Sequence, residues 1–132
     1  MVNHKSGLLG VSGISSDVRD LLARESTEVH SAEAVELFCY QVKKWIGSFA
    51  AALGGLDTLV FAAGIGENSP VIRKRICEGL GFLGIELDEK RNKKNAALIS
   101  RSPARGGVKV RVIQTNEELM TARSVVRLLK LG

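Results

Sequence analysis

The sequence predicts an α/β fold, and three features carry that prediction. Residues 56–63 (LDTLVFAA) form a short apolar run between turn residues, the signature of a strand covered on both faces. That run leads through a glycine-rich turn into a helical pattern. Residues 108–113 (VKVRVI) alternate apolar and basic side chains, as a strand with one exposed face does, and a helix opens just after them.

The remaining elements follow in order. Residues 7–15 (GLLGVSGIS) read as a turn that runs into Ser15, Ser16 and Asp17, a helix cap, with a short helix over 17–25. From Ser31 onward, Ala34, Val35, Leu37, Phe38, Val42, Trp45, Ile46, Phe49 and Leu53 recur at helical spacing until Gly54 and Gly55 stop the run. This predicts a long, largely buried helix. After the strand, Gly64 to Ser69 read as a loop, and a helix over 69–80 follows with Pro70 suited to its first turn and Val71, Ile72, Ile76 and Leu80 on one side. Residues 85–107 are polar and basic and contain Pro103, Gly106 and Gly107, which predicts weak strands at 85–87 and 98–99 around a mobile connection. Thr115, Asn116, Glu117 and Glu118 open a terminal helix.

A chain of 132 residues suits one domain, with 45% hydrophobic and 25% charged residues, the balance of an ordinary globular protein. The longest uncharged apolar stretch, residues 45–56, is interrupted by Gly and Ser and falls well short of the ~20 residues of a membrane span. The apolar stretch after Ser6 is too short for a signal-peptide core, so a soluble, cytoplasmic protein is expected. Cys39 and Cys77 have no CxxC spacing and no neighbouring His, and read as reduced structural thiols. The net charge of +5 raises the question of nucleic acid. Lys43 and Lys44, the run Arg73, Lys74 and Arg75, the cluster Lys90, Arg91, Lys93 and Lys94, and the stretch from Arg101 to Arg111 are mixed with acids and have few aromatics for stacking bases, so they read as solvated faces and no nucleic-acid partner is expected.

Three segments carry candidate chemistry. Phe61 to Ser69 (FAAGIGENS) takes a buried strand through Gly64-Ile65-Gly66 toward a helix. Such a turn lets the backbone approach a ligand, and the helix start favours an anion or a polar base. The same glycines also suit a strand-to-helix turn on steric grounds alone, and the pattern is neither a Rossmann fingerprint nor a P-loop. Asn68 can cap the next helix or hydrogen-bond a ribose or base. In Gln114-Thr115-Asn116-Glu117-Glu118, two carboxylates at a strand-to-helix junction can serve Mg²⁺. Capping by Asn116 with glutamates complementing the helix dipole needs no metal, and the residues alone favour it. Asp17-Val18-Arg19 reads by itself as a cap followed by an exposed arginine.

Taken in order, GLLGVSGISSDVRDL, LVFAAGIGENSPVIR, GFLGIELD and VIQTNEELMTAR resemble the C-terminal region of acetate kinases, members of the actin-like sugar-kinase and heat-shock ATPase superfamily. The resemblance covers nearly the whole chain. It implies a ribonuclease H-like (actin-like ATPase) domain fragment, a mixed sheet with flanking helices. Residues 1–116 would be a partial C-terminal nucleotide-binding domain, and 117–132 a terminal helix that packs in the family on a first domain. Asp17, Val18 and Arg19 match the family's adenosine-contacting segment, with Arg19 along the base. Gly64, Ile65, Gly66, Glu67 and Asn68 match the glycine loop that lies against adenosine and its phosphates. Glu117 matches the acidic residue associated with Mg²⁺, with Glu118 a neighbour. ATP or ADP and Mg²⁺ are the implied cofactors, and the implied reaction moves the γ-phosphoryl group of ATP reversibly to acetate, giving acetyl phosphate and ADP.

The resemblance also sets expectations about what is absent. Family members are much longer, and their acetate-site arginines, active-site aspartate and histidine, and N-terminal asparagine near the metal come from segments that this chain lacks. The chain alone is therefore expected to be inactive, and neither His4 nor His30 is assigned a catalytic role. Ala62 and Ala63 stand where many members have Thr-Gly, and Gln114 where proline is frequent. Leu119, Val126 and Leu129, with Ala122 and Val125, are expected to form an uncovered apolar stripe that favours a homodimer, docking on the domain, or a separate N-terminal portion. The alternatives are a stand-alone nucleotide-binding or interaction module without catalysis and a basic nucleic-acid-binding protein.

Overall fold

The computed structural model describes residues 6–101 and 107–129. Helix α1 (Gly7–Ser12) ends at Gly13, whose φ of 65° supplies the left-handed residue that a short helix needs to stop. Buried Ser12 holds the following turn: its Oγ accepts from the amides of Ile14 at 3.1 Å and Ser15 at 3.2 Å. Helix α2 (Val18–Arg24) follows, capped by Asp17. Helix α3 (Val29–Leu53) ends at Gly54, where the Gly55 amide reaches Ala50 O and the Gly54 amide reaches Ala51 O, a Schellman pair.

Strand β1 (Thr58–Ala62) pairs in parallel with β2 (Lys109–Ile113), Phe61 opposite Val112. Between them run α4 (Ala63–Asn68), α5 (Pro70–Cys77), a 3₁₀ turn (Gly81–Leu83) and α6 (Glu89–Lys93), and helix α7 (Glu117–Leu129) follows β2. Antiparallel bridges extend the sheet, Leu98 to Arg111 and Leu87 to Ser100. The core joins Val18 and Leu21 of α2, Ala34 and Val35 of α3, Ile72 and Ile76 of α5, Ile99, and the inward-facing Val110 and Val112 of β2. It is an α/β fold on a small parallel sheet.

Several expectations change. The 63–68 segment is a helix rather than a loop, and a helix, α6, occupies part of the expected connection. Its cap was present in the sequence, since Asp88 accepts from the Arg91 amide at 3.0 Å. The segments at 85–87 and 98–99 form isolated bridges instead of strands. Helix α3 is buried on one side only: α1, α2 and α5 pack along it, while Trp45 and Phe49 stack with ring centroids 5.7 Å apart on the other side, 54% and 59% exposed. Strand β1 is likewise covered on one face, with Phe61 buried and Val60 exposed, because no described helix covers the face that carries Val60, Arg111 and Ile113. His4, Pro103 and Gly106 lie outside the described residues.

Leu21 is fully buried whereas Phe82 is 80% exposed. Leu21→Ala is expected to cost about 2–5 kcal/mol and Phe82→Ala less than about 0.5 kcal/mol, measured by urea denaturation.

Candidate functional site

Two walls face each other across a cleft of about 830 Å³. The first is the start of α2. Asp17 Oδ1 accepts from the Arg19 amide at 2.8 Å, and Arg19 Nε reaches both carboxylate oxygens at 3.1 Å. Hydrogen bonds from the Arg19 side chain and amide hold the Asp17 carboxyl down at about 2, so it is ionised across the physiological range. The pair keeps the Arg19 guanidinium at the cleft with its side chain 86% exposed. Val18 and Leu21 are anchored in the core, and Asp17 N–H donates to Ser15 Oγ at 3.0 Å, so the wall is fixed from behind.

The second wall is the turn out of β1. Ala63 sits at φ 58°, the left-handed region that favours glycine. Gly64 faces open space, with nothing within 4 Å of where a Cβ would stand, whereas a Cβ on Gly66 would come within 3.2 Å of the Phe61 carbonyl carbon. Gly64 thus leaves room in the cleft, and Gly66 lets α4 lie against β1. Asn68 Nδ2 donates back to Gly64 O at 3.0 Å. The cap of α5 is Ser69, whose Oγ accepts from the Ile72 amide at 3.4 Å, and not Asn68.

The structure brings Asp17, Val18, Arg19, Gly64, Ile65 and Asn68 around this one cleft, with Leu22 and Val71 adding apolar surface. Gly66 and Glu67 do not line it. Glu67 Oε1 instead accepts from Thr115 N at 2.8 Å and Thr115 Oγ1 at 2.9 Å, bonds that lower its carboxyl below the usual range. Glu67 thereby ties the turn to the end of β2 and borders a hollow of about 460 Å³ shared with Asn95, Arg111 and Gln114. Asn116 Oδ1 accepts from the Leu119 amide at 2.8 Å and caps α7. Glu117 is the first residue of α7, and its side chain lies outside the described part of the structure. No group of three or more His, Cys, Asp or Glu among the described residues could hold a metal by itself.

Arg73 is the residue that the sequence reading misplaces. It is fully buried rather than part of a solvated basic face. Its five N–H groups donate to Asn92 Oδ1 and O at 2.8 Å each, Gly66 O at 2.8 Å, Glu67 O at 2.9 Å and Asn95 Oδ1 at 2.6 Å. The signal was its spacing: Arg73 shares the helix face of Ser69, Ile76 and Cys77, the stripe that enters the core. Its two neighbours in the basic run are paired with acids: Arg75 grips Glu25 through two bonds of 2.8 Å, and Lys74 meets Glu89 at 2.7 Å. His30 Nδ1 lies 3.1 Å from Glu33 Oε2 on exposed α3, away from the cleft. Both cysteines are free and buried, and burial pushes the Cys77 thiol up to about 12, which keeps it protonated and unreactive. No described helix is long and apolar enough to cross a membrane.

Comparison with known proteins matches residues 1–123 to the acetokinase family. The acetate kinase of Treponema denticola is 50% identical over 131 residues, which are 98% of this chain and 33% of that protein. Among solved structures, Porphyromonas gingivalis acetate kinase superposes with a TM-score of 0.83 at 38% identity, covering 97% of this chain and 33% of that one. A propionate kinase from Francisella tularensis gives a TM-score of 0.81 at 36% identity, covering 92% and 31%. The chain therefore spans about a third of the length of the relatives it matches.

The left-handed Ala63 generates a prediction. An L side chain there costs roughly 1–2 kcal/mol, partly offset in a glycine variant by about 0.5–1 kcal/mol of extra chain entropy. Ala63→Gly is expected to raise the melting temperature, a gain of up to about 1 kcal/mol by calorimetry.

Proposed function

The chain belongs to the acetokinase family, and from that premise we propose that it is the nucleotide-binding C-terminal portion of an acetate kinase. The supporting observation is the cleft: two segments separated by all of α3 and β1, each matched to a nucleotide-contacting motif, form its opposite walls. Its volume is that of a small-molecule site. Leu22, Ile65 and Val71 offer apolar surface to a purine, the Arg19 guanidinium, paired with Asp17, keeps an exposed face to stack along it, and Gly64 leaves the turn's backbone open to close approach. The residues present thus suit adenosine. Gly66 and Glu67 would act on the nucleotide through the shape of the turn, since neither lines the cleft.

Mg²⁺ usually binds through one or two carboxylates together with substrate phosphates, so a single protein carboxylate, that of Glu117, suffices here. When bound, the ion would neutralise charge on the transferring phosphoryl group. The complete reaction, transfer of the ATP γ-phosphoryl group to acetate, belongs in this reading to the longer protein, and this portion alone is inactive. Structural likeness to both an acetate and a propionate kinase leaves the acyl group to residues outside this chain.

Residues 1–116 form the partial nucleotide-binding domain in this reading, and α7 is the helix that packs on a first domain. Every described side chain of α7 is exposed, including Leu119, Val126 and Leu129, which supports a missing partner surface. A 13-residue helix without tertiary packing is only marginally stable in water.

Titration calorimetry of the chain with ADP and ATP, with and without Mg²⁺, tests the proposal. Arg19→Ala and Asn68→Ala are each expected to weaken binding about tenfold, or ~1.4 kcal/mol. Affinity untouched by both changes would place the nucleotide elsewhere, and no binding by a folded chain would contradict a nucleotide site built from this portion alone.

A further inference from the structure

We infer that Arg73 is a positioning residue for the nucleotide turn: it fixes α4 from inside the protein while the opposite side of the same turn forms the cleft wall. The inference rests on the nucleotide reading of that cleft.

The backbone accounting of α4 shows why the arginine is needed. A helix leaves its last four carbonyls without partners inside itself. In α4 these are the carbonyls of residues 65–68, and three of them have a donor from beyond the helix: the Ser69 amide for Ile65, and Arg73 Nη1 for both Gly66 and Glu67, while Asn68 Nδ2 adds a bond to Gly64 O. One guanidinium nitrogen thus satisfies two consecutive carbonyls. A six-residue helix cannot hold its own geometry in water, so its orientation is set by these bonds and by the close fit of Gly66 on Phe61. That orientation decides where Gly64, Ile65 and Asn68 stand in the cleft.

The other half of the guanidinium is held just as firmly. Asn92 accepts twice and passes the restraint on, its Nδ2 donating to Pro70 O at 2.9 Å. Asn95 presents its Oδ1 from a left-handed backbone with φ 49°. Every acceptor is neutral, and Arg73 forms no ion pair among the described residues. Charge pairing therefore does not explain its burial, whereas geometry does: only a planar fork of donors reaches oxygens on both sides at once. A lysine, with three donors on one nitrogen, keeps the charge and loses the span.

Two variants test this in the full chain: Arg73→Lys, and Asn95→Gly, which keeps the left-handed backbone and deletes one acceptor. Hydrogen exchange is read at α4 and the Ser69 amide, with the Ile99 amide, bonded to Val110 O, as the internal reference. Arg73→Lys is expected to speed exchange at residues 64–69 about tenfold, leave Ile99 unchanged, and weaken ADP binding by the folded protein about tenfold, with Asn95→Gly showing the same pattern about threefold. Wild-type protection at 64–69 in folded Arg73→Lys, or a lower melting temperature with unaltered ADP affinity, overturns the inference. Should Arg73→Lys fail to fold, Asn95→Gly decides by the same two readouts. Absence of ADP binding by the unaltered chain contradicts the nucleotide reading instead, and the exchange pattern still decides whether Arg73 holds the turn.

Discussion

A parallel strand pair cannot be closed by a hairpin, and that constraint arranges this molecule. Because β1 and β2 run the same way, the chain must leave the end of β1, travel through α4, α5 and α6, and return to start β2 beside the start of β1. The two strands consequently finish at the same end, where the Ala63–Asn68 turn and the residues opening α7 meet. The Glu67 to Thr115 contact closes that junction with two hydrogen bonds. Ligands of open α/β sheets gather at the carboxyl ends of their strands for this reason. Helix α2 comes up against the same end through Val18 and Leu21, which brings Arg19 opposite Ile65.

Among the described residues, Arg73 is the buried charge of the interior behind that junction. Desolvating a charge costs several kcal/mol even after relaxation, and hydrogen bonds to charged groups return roughly 1.5–3 kcal/mol each. Arg73 makes five of them, so its burial is offset without a counter-ion. The opposite treatment appears at the surface, where Arg19, Lys74 and Arg75 each have a carboxylate partner and contribute little to stability beyond local geometry. Net charge thus says little about what this protein binds; the placement of individual cations says more.

How much of this was legible in the sequence varied with how local the cause was. The alternation at 108–113 became β2 with Val110 and Val112 inward, and the Asp17 and Asn116 caps appear as bonds to their own helices. Those signals depend on neighbours within a few residues. The covering of β1 and α3 depends on layers supplied from elsewhere, and a fully apolar run such as LVFAA looks the same whether one face or two are covered. Helix α4 escaped notice because two glycines and an alanine at positive φ read as a loop, although the bonds from Arg73 and Asn68 stabilise a helical turn there. Asp17, Arg19, Gly64 and Asn68 were nominated by motif, but their convergence on one cleft became visible only in three dimensions.

The central claim is that an adenine nucleotide sits between the start of α2 and the α4 turn. Amide chemical-shift mapping of the labelled chain during ADP titration tests this most directly. The account predicts perturbations concentrated at residues 16–22 and 64–71, with the exposed face of α3 around Trp45 and Phe49 silent. Perturbations concentrated on α3 or α7, with both cleft walls unchanged at saturation, would contradict it.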